Sequence, residues 1–235
     1  MLEETLAKGL VGTLPRRMRA KLAEIAGDTV EIGSRQSLAQ EGDAQTESIL
    51  LLDGLMGRYM GPRERRQMVA IQVPGDFVDL HALPLDKLDH EVESLGPVRI
   101  ARFPHDALRA AMAGDYPFAE ALWKLTLIDA GLHRYWSYRL GRFRALAGMA
   151  NFFAEMDHRL GRAGLRTEEG FALPLTHADL SDICGISQVH VSRVLKDLRE
   201  AGLCALQGGR LTIHDRAGLY RMGEVSGAGL EELLD

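Results

Sequence analysis

The chain has only two cysteines in 235 residues, Cys184 and Cys204. Two thiols are too few for a disulfide framework, and their spacing is not that of a zinc site. A four-thiolate iron–sulfur cluster is excluded within one chain, so two small buried side chains are the simplest reading. Long apolar runs are also lacking. Ile49–Leu52 is among the densest stretches and is strand-length, far short of the roughly 20 residues of a membrane helix. The start, Met1-Leu2-Glu3-Glu4-Thr5, is acidic and lacks the basic-then-apolar order of a signal peptide. A cytoplasmic protein with no membrane partner is expected. No phosphate-binding loop, nucleophile elbow or His-Glu metal motif occurs, and an enzyme is not expected. The acids Asp79, Asp86 and Glu91 read as a solvated loop.

Nor is there an excess of positive charge, since the net formal charge is −5. Its placement is uneven. Residues 1–130 carry 15 Lys/Arg against 20 Asp/Glu, residues 131–222 carry 13 against 9, and residues 223–235 carry four acids and no base. Location matters more than the total for meeting phosphate, and the segment 131–222 is the suited one. Hydrophobic residues at 46% and charged residues at 26% are ordinary for a globular protein with room for real cores.

From Thr29 to Arg102 the character changes, and Gly and Pro punctuate short segments rich in Val, Ile and Leu: Thr29–Ile32, Ser48–Leu52, Met56–Tyr59, Gln67–Val73 and Val98–Phe103. That spacing predicts an all-β roll or barrel. Residues 106–163 then read as helix. From Pro117 onward no proline intervenes, and Gly131 is the one glycine before a turn near Gly141. Phe118, Ala121, Leu125, Ile128, Leu132 and Tyr135 fall on alternating three- and four-residue steps, a heptad seam about three heptads long. A second stripe, Leu122, Trp123, His133, Trp136 and Leu140, implies two covered faces. The first stripe is the expected dimer seam. A second helix is expected over Phe143–Arg162, and Gly164–Pro174 reads as a loop or short hairpin.

The most specific pattern spans residues 175–203. Thr176 is a good N-cap with Asp179 three residues on. Ala178, Leu180 and Ile183 give an inward face, and Gly185 supplies a tight turn. Ser187 caps a second helix whose core face is Val191, Val194, Leu195 and Leu198. Gln188, Val189, His190, Ser192, Arg193 and Lys196 are left for its open side. A short capped helix, a glycine turn and a second helix with polar residues in its first turns form a helix-turn-helix. Leu203–Leu206, Gln207-Gly208-Gly209-Arg210 and Leu211–His214 follow as strand, turn and strand, which is a wing.

Ile186-Ser187-Gln188-Val189-His190-Val191-Ser192-Arg193-Val194-Leu195 resembles the recognition helix of the Crp/Fnr family of bacterial regulators. Leu38–Tyr59 and Val73-Pro74-Gly75-Asp76-Phe77 resemble that family's β-roll. The resemblance implies an α+β chain: a double-stranded β-helix (a jelly-roll-like β-roll) at 1–115, a dimerisation helix at 116–142, and a winged helix-turn-helix at 143–223. An acidic tail at 224–235 follows. It also implies a homodimer reading an inverted repeat in double-stranded DNA, with RNA polymerase as a further partner. Arg193 matches the family's base-reading arginine, whose planar fork suits guanine O6 and N7, and Ser192 matches the serine that commonly precedes it. Val189 departs from the family: well-known members carry a glutamate there, whereas valine can only pack on a thymine methyl. Gln188 and His190 are the expected substitute readers. Lys196, Arg199 and Arg210 are expected on phosphates, and Thr176 and Ser187 are grouped with them at the helix starts.

In the sensor half the resemblance weakens. Cyclic-nucleotide members hold phosphate with a Gly-Glu-Leu turn and a following Arg-Ser or Arg-Thr. Here the matching stretches are Phe77–Leu83 and Lys87–Glu91, neither motif is present, and the carboxylates would repel phosphate. A conventional cyclic nucleotide is not expected. Gly75–His81 resembles the stretch in which carbon-monoxide-sensing haem relatives place an axial histidine, which would make His81 a haem ligand. Asp79, however, replaces those relatives' cysteine, and a histidine closing a polar turn is commonly structural. A metal site from His81, His90 and Glu91 has no tight ligand spacing in its favour. Asp79, Leu80, His81, Lys87 and His90 are therefore the expected lining of an effector pocket whose ligand the sequence does not name. The competing function is a haem- or small-ligand-binding sensor that acts through protein contacts and carries a vestigial DNA module.

Overall fold

A computed structural model describes residues 2–225. It divides into two compact units, Met1–Ala130 and Gly131–Asp235. Most of the acidic tail, residues 226–235, lies outside the described residues. No described helix is long and apolar enough to cross a membrane.

In the first unit, helices α1 (Leu2–Thr5) and α2 (Arg16–Ile25) precede strands β1 (Thr29–Ile32), β2 (Ser37–Ala39), β3 (Glu47–Asp53), β4 (Met56–Met60) and β5 (Gln67–Gln72). Helix α3 (Ala82–Leu85), strands β6 (Glu91–Ser94) and β7 (Val98–Pro104) and helix α4 (His105–Met112) follow. The strands form two antiparallel sheets, ordered β1-β7-β3 and β2-β6-β4-β5, rather than a closed barrel. Leu51, Met56, Val78, Val92 and Ile100 fill the space between them. Burying these apolar side chains is the main driving force for the roll.

The five strands expected from composition appear, within a residue or two at each end. Strands β2 and β6 were not expected. β2 has three residues and an irregular register against β6, too little for a periodic signal. β6 reads Glu91-Val92-Glu93-Ser94, which resembles a solvated loop until Arg66 is placed beside it. The Arg66 Nη1 lies 3.1 Å from Glu91 Oε2 and 2.7 Å from Glu93 Oε2, and the guanidinium stacks on the Tyr59 ring. The expectation of a solvated acidic loop is corrected for Glu91 by this pairing, and for Asp79 by its burial. Asp86 alone fits it, being exposed.

Helix α5 (Tyr116–Arg142) runs across the division between units. Asp115 caps it, accepting from the Phe118 N–H at 3.1 Å, and Pro117 sits in the first turn, where its missing N–H costs nothing. The helix continues through Gly141, and the break falls at Phe143-Arg144 instead. Six side chains are expected on the dimer seam. Phe118, Ala121, Leu125 and Leu132 are buried within the single chain, and Ile128 and Tyr135 are half-buried. The exposed apolar side chains on α5 are Tyr116, Trp123, Leu127, Tyr138 and Leu140. Of the second stripe, Leu122 and Trp136 are buried too, so periodicity alone could not separate inward from outward positions.

The second unit continues with α6 (Ala145–Arg162), β8 (Gly170–Ala172), α7 (His177–Cys184), α8 (Gln188–Glu200), β9 (Cys204–Gln207), β10 (Arg210–Ile213) and α9 (Arg216–Met222). Helix α6 is buried along most of its length, with Phe152 and Phe153 at its centre. Two carboxylates inside this unit tie its helices together. Glu155 accepts from Trp136 Nε1 at 2.9 Å, Arg139 Nη1 at 2.6 Å and Arg159 Nη1 at 3.1 Å. Burial alone would raise the Glu155 pKa, but the two guanidiniums and the indole N–H outweigh it and hold the carboxyl below its usual range. Asp157 receives Arg166 Nη1, Arg216 Nε and the Tyr220 hydroxyl, each at 3.0 Å, fixing α9 on α6.

Candidate nucleic-acid interface

The helix pair α7–α8 is set by local chemistry. The Thr176 hydroxyl accepts from the Asp179 N–H at 3.2 Å while the Asp179 carboxylate accepts from the Thr176 N–H at 2.7 Å. This reciprocal capping box satisfies two backbone donors that the helix start would otherwise leave unmet. Helix α7 stops at Gly185, whose φ of +63° is a left-handed conformation that suits glycine. Ser187 then caps α8, its Oγ accepting from the His190 N–H at 3.3 Å. Leu180 and Ile183 of α7 meet the core, as do Val191, Val194 and Leu198 of α8. Ala178, expected on the inward face, is exposed, because it falls on the opposite side of the turn from Leu180.

With that face fixed, the open side of α8 follows. Gln188, Val189, His190, Ser192, Arg193, Lys196 and Arg199 are all exposed, Val189 to 65%. Ser192 Oγ lies 3.3 Å from His177 Nδ1. His177, the first residue of α7 and itself exposed, was not among the sequence-derived candidates. Nothing in the sequence distance of fifteen residues shows that the two side chains meet; only the helix crossing does. Lys196 is loosely paired with Glu200 at 3.6 Å, an exposed ion pair worth little and readily exchanged for phosphate.

Strands β8, β10 and β9 complete a three-stranded antiparallel wing. Its tip is Gly208-Gly209, with φ of +57° and +73°, the left-handed pair that a two-residue hairpin turn requires. Arg210, beside the tip, reaches Thr167 Oγ1 at 3.2 Å through Nη2 and keeps an exposed guanidinium. Thr176 and Ser187, both exposed, stand at the starts of α7 and α8, where backbone N–H groups favour an anion.

Of the expected effector lining, Leu80, His81 and His90 lie together, and Asp79 and Lys87 do not join them. Leu80 and His81 border a cavity of about 10 Å³ with Arg58, Phe77 and Asp129, room for about one water. Arg58 fills that space: it donates to the Val78 carbonyl at 2.7 Å and to Asp129 at 2.6 Å. The Asp79 carboxylate turns away to accept from the Ile49 N–H at 2.6 Å, and its burial raises its pKa to about 7. Lys87 is exposed, its backbone bridged to Ala44. His90 meets His81, their ring centroids 5.2 Å apart. Burial, with Arg58 nearby, lowers the His81 pKa to about 4.

A capped helix pair crossing at a glycine turn and backed by a β-wing defines the winged helix-turn-helix class. Residues 149–222 match the model of the Crp-like helix-turn-helix domain. The chain is 29% identical over 152 residues to the transcriptional activator protein FnrL of Cereibacter sphaeroides, covering 63% of this chain and 60% of that one. It is 26% identical over 159 residues to the nitrogen fixation regulation protein FixK of Azorhizobium caulinodans, covering 67% and 63%. These alignments span less than two thirds of either relative. The fold superposes on FixK2 from Bradyrhizobium japonicum with a TM-score of 0.76 at 23% identity, over 84% of this chain and 97% of that one. Residues 149–222 thus carry a Crp-like helix-turn-helix domain, and the chain as a whole is similar to these regulators in sequence and in fold.

Proposed function

We propose that the chain is a sequence-specific DNA-binding transcription regulator that works as a homodimer on an inverted repeat. The observation that carries this reading is the open face of α8. It presents Gln188, Val189, His190, Ser192 and Arg193 in its first two turns, with Lys196 and Arg199 behind them. In the major groove the first five would meet base edges, and the basic residues with Arg210 would meet phosphates. Val189 offers a methyl-sized apolar contact rather than an acceptor. The operator therefore favours a thymine where a glutamate-bearing relative would select cytosine.

Dimerisation through α5 is supported by its exposed stripe. Tyr116, Trp123 and Leu127 lie seven and four residues apart, the spacing of a helix seam. They are 70%, 61% and 52% exposed in the single chain. Beside them opens a cleft of about 670 Å³ lined by Leu83, Met112, Leu122 and Trp123, apolar surface that a second copy of the helix would cover. Two recognition helices related by a two-fold axis would read half-sites about 34 Å apart. Contact with RNA polymerase is the expected route to an output.

The test is selection of genomic DNA fragments by the purified full-length protein with no added ligand. Recovery of one inverted repeat supports the reading, and Arg193→Ala should then lose about 1–3 kcal/mol of discrimination at one base pair without a change in melting temperature. Equal selectivity of Arg193→Ala and wild type would overturn it.

A further inference from the structure

We propose that His81, Asp89 and His90 form a binding site for one borderline divalent transition-metal ion, such as Zn²⁺, per chain. One ligand atom from each of the three lies within 4.8 Å of the other two. Asp89 Oδ1 is 2.7 Å from His90 Nδ1 and 3.9 Å from His81 Nε2. Ligands about 2.1 Å from a tetrahedral ion stand about 3.4 Å apart, between those two distances. Small rotations of the three side chains would bring them onto one centre.

Two features separate this cluster from an ordinary surface pair. The hydrogen bond between sequence neighbours accounts for Asp89 and His90, but not for the second imidazole that arrives from the start of α3. The exposure is also graded: His90 is buried, the His81 side chain is 24% exposed and that of Asp89 is 75% exposed. The rings are thus anchored while the carboxylate faces solvent, which leaves an entry path and a position for water. Coordination exchanges the hydrogen bond between His90 and Asp89 for two metal bonds, and the ring's proton then sits on His90 Nε2. Two imidazoles and one carboxylate suit zinc, cobalt, nickel or ferrous iron over magnesium or calcium, which take oxygen ligands. Glu91, the third ligand suggested by sequence proximity, is instead held by Arg66.

The full-length protein, stripped with chelator, is titrated with Co²⁺ while its visible absorption is recorded, and Zn²⁺ is then added in competition. One equivalent of Co²⁺ should develop ligand-field bands that Zn²⁺ abolishes. His81→Gln and Asp89→Ala should each weaken binding by at least about tenfold at unchanged melting temperature, since neither side chain is in the core. His190→Ala, on the open face of α8, should bind like wild type. Ligand-field bands that survive in both His81→Gln and Asp89→Ala, or no bands at all, would overturn the site. The measurement involves no DNA, so its failure leaves the reading of α8 untouched, and the reverse also holds.

Discussion

The two units differ in how completely their buried polar groups are matched. In the unit that carries α7 and α8, the buried charges are matched: Glu155 with Arg139 and Arg159, Asp157 with Arg166 and Arg216. The side chains assigned to recognition stay exposed on a helix whose other face is locked. In the β-roll unit, polar groups are drawn inward around α3 and β6. Arg58 fills the small cavity beside Leu80, Asp79 is buried with a raised pKa, and two histidines converge on Asp89. A rigid scaffold that displays readers needs its interior charges neutralised. In the roll, by contrast, Asp79 keeps a buried carboxyl whose pKa burial raises to about 7.

The largest expected break in this comparison is at Glu155. Glu155→Ala leaves two buried guanidiniums without the carboxylate they share and should cost about 3–5 kcal/mol, read by urea unfolding. Because the folded-state pKa is depressed, the carboxylate's contribution is complete above the ordinary glutamate value. It is lost as pH falls through the lower folded value. Glu155→Gln should flatten that acid limb, and an unchanged limb would show that the network is not what the acid transition reports. The second effect separates exposed from buried apolar side chains on α5. Trp123→Ala should weaken the dimer by about 2 kcal/mol in sedimentation equilibrium and leave the monomer's stability alone. Leu125→Ala should instead lower folding stability by about 2–5 kcal/mol. A dimer indifferent to Trp123 would place the interface elsewhere. The smallest is Thr176→Ala, which removes one half of the capping box and should cost about 1 kcal/mol, visible as a modest drop in thermal midpoint.

The legibility of the sequence divides along the same line. Thr176, Asp179, Gly185 and Ser187 each act within a few residues of themselves, so the helix-turn-helix and its open face could be read directly. The tip Gly208-Gly209 is equally local. In the roll, the apolar strands were legible from their Val, Ile and Leu content, whereas β6 was hidden because its acids are neutralised by Arg66, some 25 residues away in sequence. The effector lining was the least legible part. Asp79 and Lys87 are close to His81 in the chain, but Asp79 turns to the Ile49 N–H and Lys87 is exposed, while His90 stays beside His81.

What the sequence determined by itself was built by near neighbours: most of the strands and helices, the caps and glycine turn of α7 and α8, the wing tip and the pattern of α8. Tertiary structure alone decided which apolar side chains of α5 are buried, which arginine meets which carboxylate, and that His81, Asp89 and His90 come together. The physical reason is range. Capping and turn chemistry are settled by hydrogen bonds a few residues long, whereas burial and charge pairing depend on which distant segments the packed core brings together.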